Sequence, residues 1–197
     1  MKKYFLILLF LGAFQSLKAQ ETMFNLNWGI GVPVGGFTDY VEEPSFSGFS
    51  IGGRKFIYDF ISVGAYTGWQ LYYDKQFGLH QVSEGLDVYG RQLRHVNVYP
   101  VMASVHLYGG EDGGIRPYLG ANVGLSFVNE KLQYGIWEFS STSTNFTIAP
   151  ELGIFFPVGL AGGGLNLSFK YDEAFKSSKN DYHVQSFLIS IGFAMAR

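Results

Sequence analysis

From Phe24 onward, alternate residues are apolar. Phe24, Leu26, Trp28, Ile30, Val32 and Val34 share one phase; Asn25, Asn27, Gly29, Gly31, Pro33 and Gly35 share the other. A period of two sends successive side chains to opposite faces of a strand, so one face here is apolar and the other small or polar. The rhythm returns at Ile61, Val63, Ala65, Thr67, Trp69, Leu71 and Tyr73, and again at Leu119, Ala121, Val123, Leu125 and Phe127. It recurs at Phe146, Ile148, Leu152 and Ile154, at Leu165, Leu167, Phe169 and Tyr171, and at Phe187, Ile189, Ile191 and Phe193. Two further segments, 46–56 and 93–108, read as strands with a less even pattern. In the second, Val96, Val98 and Met102 fit one face, and Val101, Ala103, Val105 and Leu107 the other, which predicts a bulge near Pro100. The total is eight strands.

The connections alternate in length. Residues 35–45, 74–92 and 129–141 read as long loops; 54–59, 109–114 and 159–164 read as short turns; 172–181 is intermediate. That alternation fits an up-and-down barrel in an outer membrane, with short periplasmic turns and longer loops outside.

Composition narrows the surroundings. Charged residues are 15% of the chain, against about 25% in ordinary soluble proteins, so much of its surface need not meet water. A net charge of -2 gives no electrostatic case for nucleic acid. The chain has no cysteine, which excludes disulfides, thiolate metal sites and a lipid anchor on Cys. Lys2 and Lys3 precede an apolar run at residues 4–14, and Leu17-Lys18-Ala19 offers a cleavage site. Residues 1–19 thus read as a signal peptide and 20–197 as one barrel domain.

Alternation alone leaves two barrels open. A soluble lipocalin-like carrier turns its apolar face inward, and a membrane barrel turns it outward. The polar phase here is mostly Gly, Asn, Ser, Thr and Tyr, while the charges gather in the connections. Small polar residues suit a crowded interior, so the fold expected is an all-β, eight-stranded antiparallel up-and-down transmembrane β-barrel. Trp69, Tyr72 and Tyr73 at one end of their strands, and Tyr108, Tyr118 and Phe156 at the other, suit interfacial girdles.

The run Arg116-Pro117-Tyr118-Leu119-Gly120-Ala121-Asn122-Val123-Gly124 resembles a strand of the small OmpA-like and PorT-like outer-membrane barrel proteins. The segment Ile189-Ser190-Ile191-Gly192-Phe193-Ala194-Met195 resembles the terminal strand signal read by the barrel-assembly machinery, although the chain ends Met195-Ala196-Arg197 instead of on an aromatic residue. The resemblance implies a bacterial outer-membrane location, and the signal peptide with the long–short rhythm of connections predicts that both termini are periplasmic. It also implies contact with outer-membrane lipid and lipopolysaccharide, and it transfers no active site.

Candidate chemistry is sparse. Arg116, Glu151 and Lys170 fall on the polar phase and form a candidate ion-pair network in the lumen. His80, His95, His106 and His183 lack metal-ligand spacing, and His95 sits two residues before Asn97 where the outer-membrane lipid A deacylases carry their serine. Asp39, Glu42 and Glu43 lack the regular spacing of a calcium loop. No cofactor, metal or catalysis is expected. Phe37, Tyr40, Phe77, Tyr89, Tyr134, Trp137 and Phe139 lie in the outer connections and form a candidate contact surface for an extracellular or envelope protein. The function expected is structural or surface interaction, with a narrow channel or small-ligand translocator as one alternative and the soluble carrier as another.

A barrel of this kind fractionates with membranes and migrates differently on gels before and after heating. Recovery in the soluble fraction without detergent would contradict it.

Overall fold

The computed structural model describes residues 21–83, 86–111, 113–134, 137–158, 162–177 and 182–196; at 79–83, 86–91, 134 and 196 it describes the backbone alone. The expected signal peptide at 1–19 lies outside the described residues. The strands are β1 (Thr22–Pro33), β2 (Ser47–Tyr58), β3 (Ile61–Ser83), β4 (Leu86–Tyr108), β5 (Arg116–Tyr134), β6 (Trp137–Pro157), β7 (Gly163–Ala174) and β8 (Val184–Ala196). Each pairs antiparallel with the next, and β8 returns to β1, closing the barrel. No helix among the described residues is long and apolar enough to cross a membrane, which says nothing against crossing by strands.

The apolar phase points out. Leu26 is 57% exposed, Val63 37%, Leu125 45% and Ile189 45%. The soluble-carrier alternative needs these side chains inside, so this orientation overturns it. An exterior of Phe, Leu, Ile and Val is stable against hydrocarbon rather than water. The polar phase lines the interior, where Asn25, Asn27, Asn122, Asn145 and Asn166 are all buried.

Strand lengths are unequal. β3 and β4 have 23 residues, β5 19 and β6 21, against 12 or 13 in the others. The connections expected at 74–92 and 129–141 are therefore mostly strand. Pairing continues from Asp74↔Arg94 to Gln81↔Asp87, and from Asn129↔Thr142 to Tyr134↔Trp137. These stretches lack an even apolar alternation, the signal that marks a strand in sequence. β2 leaves β3 at Ser47↔Leu71, and β7 leaves β6 at Thr147↔Ala174. Beyond those points β3 to β6 rise past the barrel rim as a four-stranded sheet.

No bulge occurs at Pro100. The β4–β5 register runs unbroken through Pro100↔Ser126, and the β3–β4 register is the same at Thr67↔Val101 and at Gln70↔Val98. The two apolar sets in β4 are simply its two faces. Val96 and Met102 are buried inside, while Val101 and Val105 are exposed outside. Pro100 lacks an N–H, and the Thr67 hydroxyl donates to its carbonyl at 2.8 Å.

The girdle expectation also needs correction. Tyr72, Tyr108 and Tyr118 are buried in the lumen. Trp69, Tyr73 and Phe156 keep the outer phase of their strands, and further exterior rings come from Trp28, Tyr58, Phe60 and Tyr99.

Interior rings fit because their neighbours are glycines. A Cβ on Gly153 would lie 2.4 Å from Tyr118 Cζ, and one on Gly120 would lie 2.5 Å from His106 Cδ2. Gly153→Leu is expected to destabilise the barrel by about 1–3 kcal/mol or more, while Ala121→Leu on the outer face is near neutral. Urea unfolding in lipid vesicles measures both; equal effects would contradict this division of faces.

Candidate functional site

Register across the sheet assembles a row of interior residues. Ser62 on β3 pairs with His106 on β4, His106 with Gly120 on β5, Gly120 with Glu151 on β6, and Glu151 with Lys170 on β7. Gly120 leaves the gap through which His106 approaches Glu151. The His106 Nε2 to Glu151 Oε2 distance is 3.6 Å, and Lys170 Nζ lies 4.0 Å from the same oxygen. The Tyr118 hydroxyl lies 2.9 Å from Glu151 Oε1, and Asn122 Nδ2 donates to Glu151 Oε2 at 3.1 Å. Lys170 also sits 4.0 Å from the centre of the Tyr66 ring. All three of His106, Glu151 and Lys170 are buried. A carboxylate out of bulk water is sustained only by such counter-charge and hydrogen bonds.

Of the three residues read from the sequence as a lumen network, the structure brings Glu151 and Lys170 together and sets Arg116 apart. Arg116 lies nearer the chain-terminal end, where it donates to the Asp59 carbonyl and stands 3.9 Å from Glu21 Oε2. Its guanidinium covers the rings of Phe56 at 4.9 Å and Tyr108 at 5.0 Å. Arg54 is a member the sequence reading missed. It donates to the Tyr108 hydroxyl and lies 5.3 Å over Tyr118. Its segment was legible as a strand, but its neighbours were not, because alternation carries no information on pairing between distant strands. His106 was missed for the same reason.

The lumen is thus layered. At the chain-terminal end Met23, Phe56, Tyr108, Tyr118, Phe155 and Ala194 form one buried cluster. The polar row lies inside it. At the opposite mouth Phe37, Val41, Tyr72, Val96, Val128, Ala174 and Val184 form a second cluster. The first connection supplies Phe37 and Val41, both 0% exposed, by way of a 3-10 turn at Gly35–Phe37 that folds into the barrel. Phe37 meets Tyr72 edge-on at 5.1 Å and stacks on Tyr182 at 6.1 Å. Arg94 clamps the same connection, donating to the carbonyls of Tyr40 at 2.9 Å and Asp39 at 3.3 Å. Its guanidinium lies 4.8 Å over the Tyr40 ring. The interior leaves a cavity of about 40 Å³ beside Tyr66, Lys170 and Asp172 and one of about 10 Å³ beside Arg54, His106 and Glu151. Since one water needs roughly 10–15 Å³ on this measure, the two have room for a few waters at most.

The aromatic contact surface read from the sequence divides. Phe37 plugs the mouth and Tyr40 packs beside it, because a mouth lined by Tyr72, Val96 and Val184 offers apolar burial that an exposed loop lacks. Phe77, 71% exposed, projects from the outer face of the raised sheet. Trp137 at 66% and Phe139 at 51% are exposed on its inner face, in phase with the lumen. The side chains of Tyr89 and Tyr134 lie outside the described residues. Glu130, above the apolar belt on β5, has its carboxyl raised by burial, with a hydrogen bond from Tyr182 opposing. Among the described residues no group of three or more His, Cys, Asp and Glu is placed to hold a metal ion.

Fold and interior together define a small closed eight-stranded barrel with an apolar exterior and a filled lumen. Among solved structures it is similar to Neisserial surface protein A, with 16% identity and a TM-score of 0.56 over 90% of this chain and 97% of that one. It is also similar to the N-terminal β-barrel domain of Pseudomonas aeruginosa OprF, with 14% identity and a TM-score of 0.51 over 91% and 98%. At such identities the likeness is one of fold. No family model matches the chain, and no curated protein matches it.

Glu151→Ala leaves Lys170 without its carboxylate and is expected to cost about 3–5 kcal/mol, as breaking a buried pair does. Lys170→Met, which keeps the volume, is expected to cost less because Tyr118, Asn122 and His106 still hold Glu151. Unfolding in lipid vesicles separates the two; equal losses would contradict a network centred on Glu151.

Proposed function

We propose that this protein is a bacterial outer-membrane barrel that acts at the cell surface through the sheet raised by β3 to β6, its lumen serving as a solid core. One observation carries the reading. The barrel is packed at both mouths and through its middle, while four strands extend well past the rim. Material beyond the apolar belt serves no purpose in crossing lipid. A chain exported by its N-terminal signal begins in the periplasm, and an even strand number returns the C-terminus there, so the raised sheet faces outward. Lipid and lipopolysaccharide surround the belt, and the barrel-assembly machinery inserts it. The kinship with OmpA-like and PorT-like barrels belongs to this reading, as does the absence of catalysis.

A narrow channel is the second reading, favoured by one feature. The mouth is closed by a connection rather than by the wall, and that connection starts at Gly35 with φ +60. Planar-bilayer recording distinguishes the two. The protein is expected to give no discrete conductance steps, and Phe37→Ala none either, because the Glu151 and Tyr108 layers still fill the bore. Stable single-channel openings of the unmodified protein would overturn the surface reading.

A further inference from the structure

Two prolines sit in the middle of wall strands, Pro100 in β4 and Pro150 in β6. A closed barrel has no edge on which to place a residue that lacks an N–H, so each withdraws one donor from the wall. The carbonyls that lose them follow from the register. The Tyr108 N–H donates to the Phe60 carbonyl, and the β3–β4 register runs on from there without a shift through Thr67↔Val101 and Gln70↔Val98. Gly68 is therefore the bonding partner of Pro100, and its carbonyl receives no donor from β4. On the other side the Phe175 N–H donates to the Phe146 carbonyl, and the register from Ile148↔Glu173 to Glu151↔Lys170 sets Tyr171 against Pro150. The Tyr171 carbonyl loses its donor in the same way. Val101, Ile148 and Phe169 are exposed on the outer face beside these breaks. Hydrocarbon there supplies no replacement.

Both breaks adjoin one interior space. The chamber of about 40 Å³ is lined by Gly68 and Pro100 on one side and by Thr147, Lys170 and Asp172 on the other. Lys170 and Asp172 flank Tyr171 in β7. Tyr66 Oη and Asp172 Oδ1, at the same level, are buried with no hydrogen-bond partner among the described residues. Unpaired buried groups of this kind call for a small polar occupant. An apolar one would leave the ammonium of Lys170 and the hydroxyl of Thr147 facing it. Water donates and accepts at once, and the space takes about three at roughly 10–15 Å³ each.

We infer that this chamber is a built hydration site, whose waters donate to the Gly68 and Tyr171 carbonyls in place of the two prolines. Prolines and chamber then form one device, in which the wall gives up a donor only where the lumen supplies another. The site does not depend on what the raised sheet binds, so it stands or falls apart from the surface reading.

The test uses the full-length folded protein in lipid bilayers, with carbonyl carbons labelled. Solid-state NMR passes polarisation from water protons to those carbons. Gly68 and Tyr171 are expected to gain signal at mixing times at which Val123 and Ile189, also in the belt but fully paired, show none. Pro100→Ala returns an N–H to β4 and is expected to abolish the Gly68 signal while keeping that of Tyr171; Pro150→Ala is expected to do the converse. Ser190→Leu, on the chamber lining from β8, fills the space with both prolines in place and is expected to abolish both signals. Heat-modifiable mobility verifies folding, and because the variants lie on three different strands, those that fold decide the outcome. Transfer to Gly68 and Tyr171 no faster than to the paired carbonyls would overturn the inference. So would a Gly68 signal that survives Pro100→Ala, which gives that water another partner, or one that survives Ser190→Leu, which brings it from outside the chamber.

Discussion

Hydrocarbon offers a backbone no hydrogen-bond partner, and the rest of this structure follows from that constraint. A sheet crossing lipid must close on itself, and this one does so with β8 returning to β1. Closure with eight strands leaves a bore no wider than side chains can fill. The interior must therefore be built from the protein's own residues, and many of its polar groups pair with the wall or with one another. Asn122 shows the device. Its amide donates to the Ala149 carbonyl at 2.7 Å and to Glu151 at 3.1 Å, tying wall to core. Glu151 in turn gathers Lys170, His106 and Tyr118 from three other strands.

Filling the bore is a matter of volumes as much as charges. Large rings on one strand face glycines on the next, as Tyr118 does Gly153 and His106 does Gly120. The same glycines read in sequence as an unremarkable small face. Their purpose appears only when the register is known. The two mouths are sealed by different means. Arg54 and Arg116 lie over aromatic rings at the chain-terminal end, whereas an inward-folded connection carrying Phe37 seals the other.

Much of this architecture was legible in the sequence. Alternation located six strands of the lipid belt cleanly and the other two less evenly, and the scarcity of charge on the polar phase indicated which face was inside. What escaped had physical reasons. The raised portions of β3 to β6 carry no alternation because both their faces meet water, so they read as loops. Phe37 and Tyr40 read as exposed because a connection's return into the barrel leaves no local signal. The partnership of Glu151 with His106 and Tyr118 depends on register between separate strands. Tyr72, Tyr108 and Tyr118 resembled interfacial rings by composition, yet parity along their strands assigns them to the bore.

The central claim is that the apolar phase of the barrel faces lipid while the raised sheet stands clear of it. The chain has three tryptophans, and they sample both places: Trp28 and Trp69 on the outer wall, Trp137 on the sheet above. Single-tryptophan variants in vesicles of brominated lipid report directly on the claim. Strong quenching of Trp28 and Trp69 with little for Trp137 is the predicted result. Quenching of Trp137 as strong as that of Trp28, or none at Trp28, would contradict it.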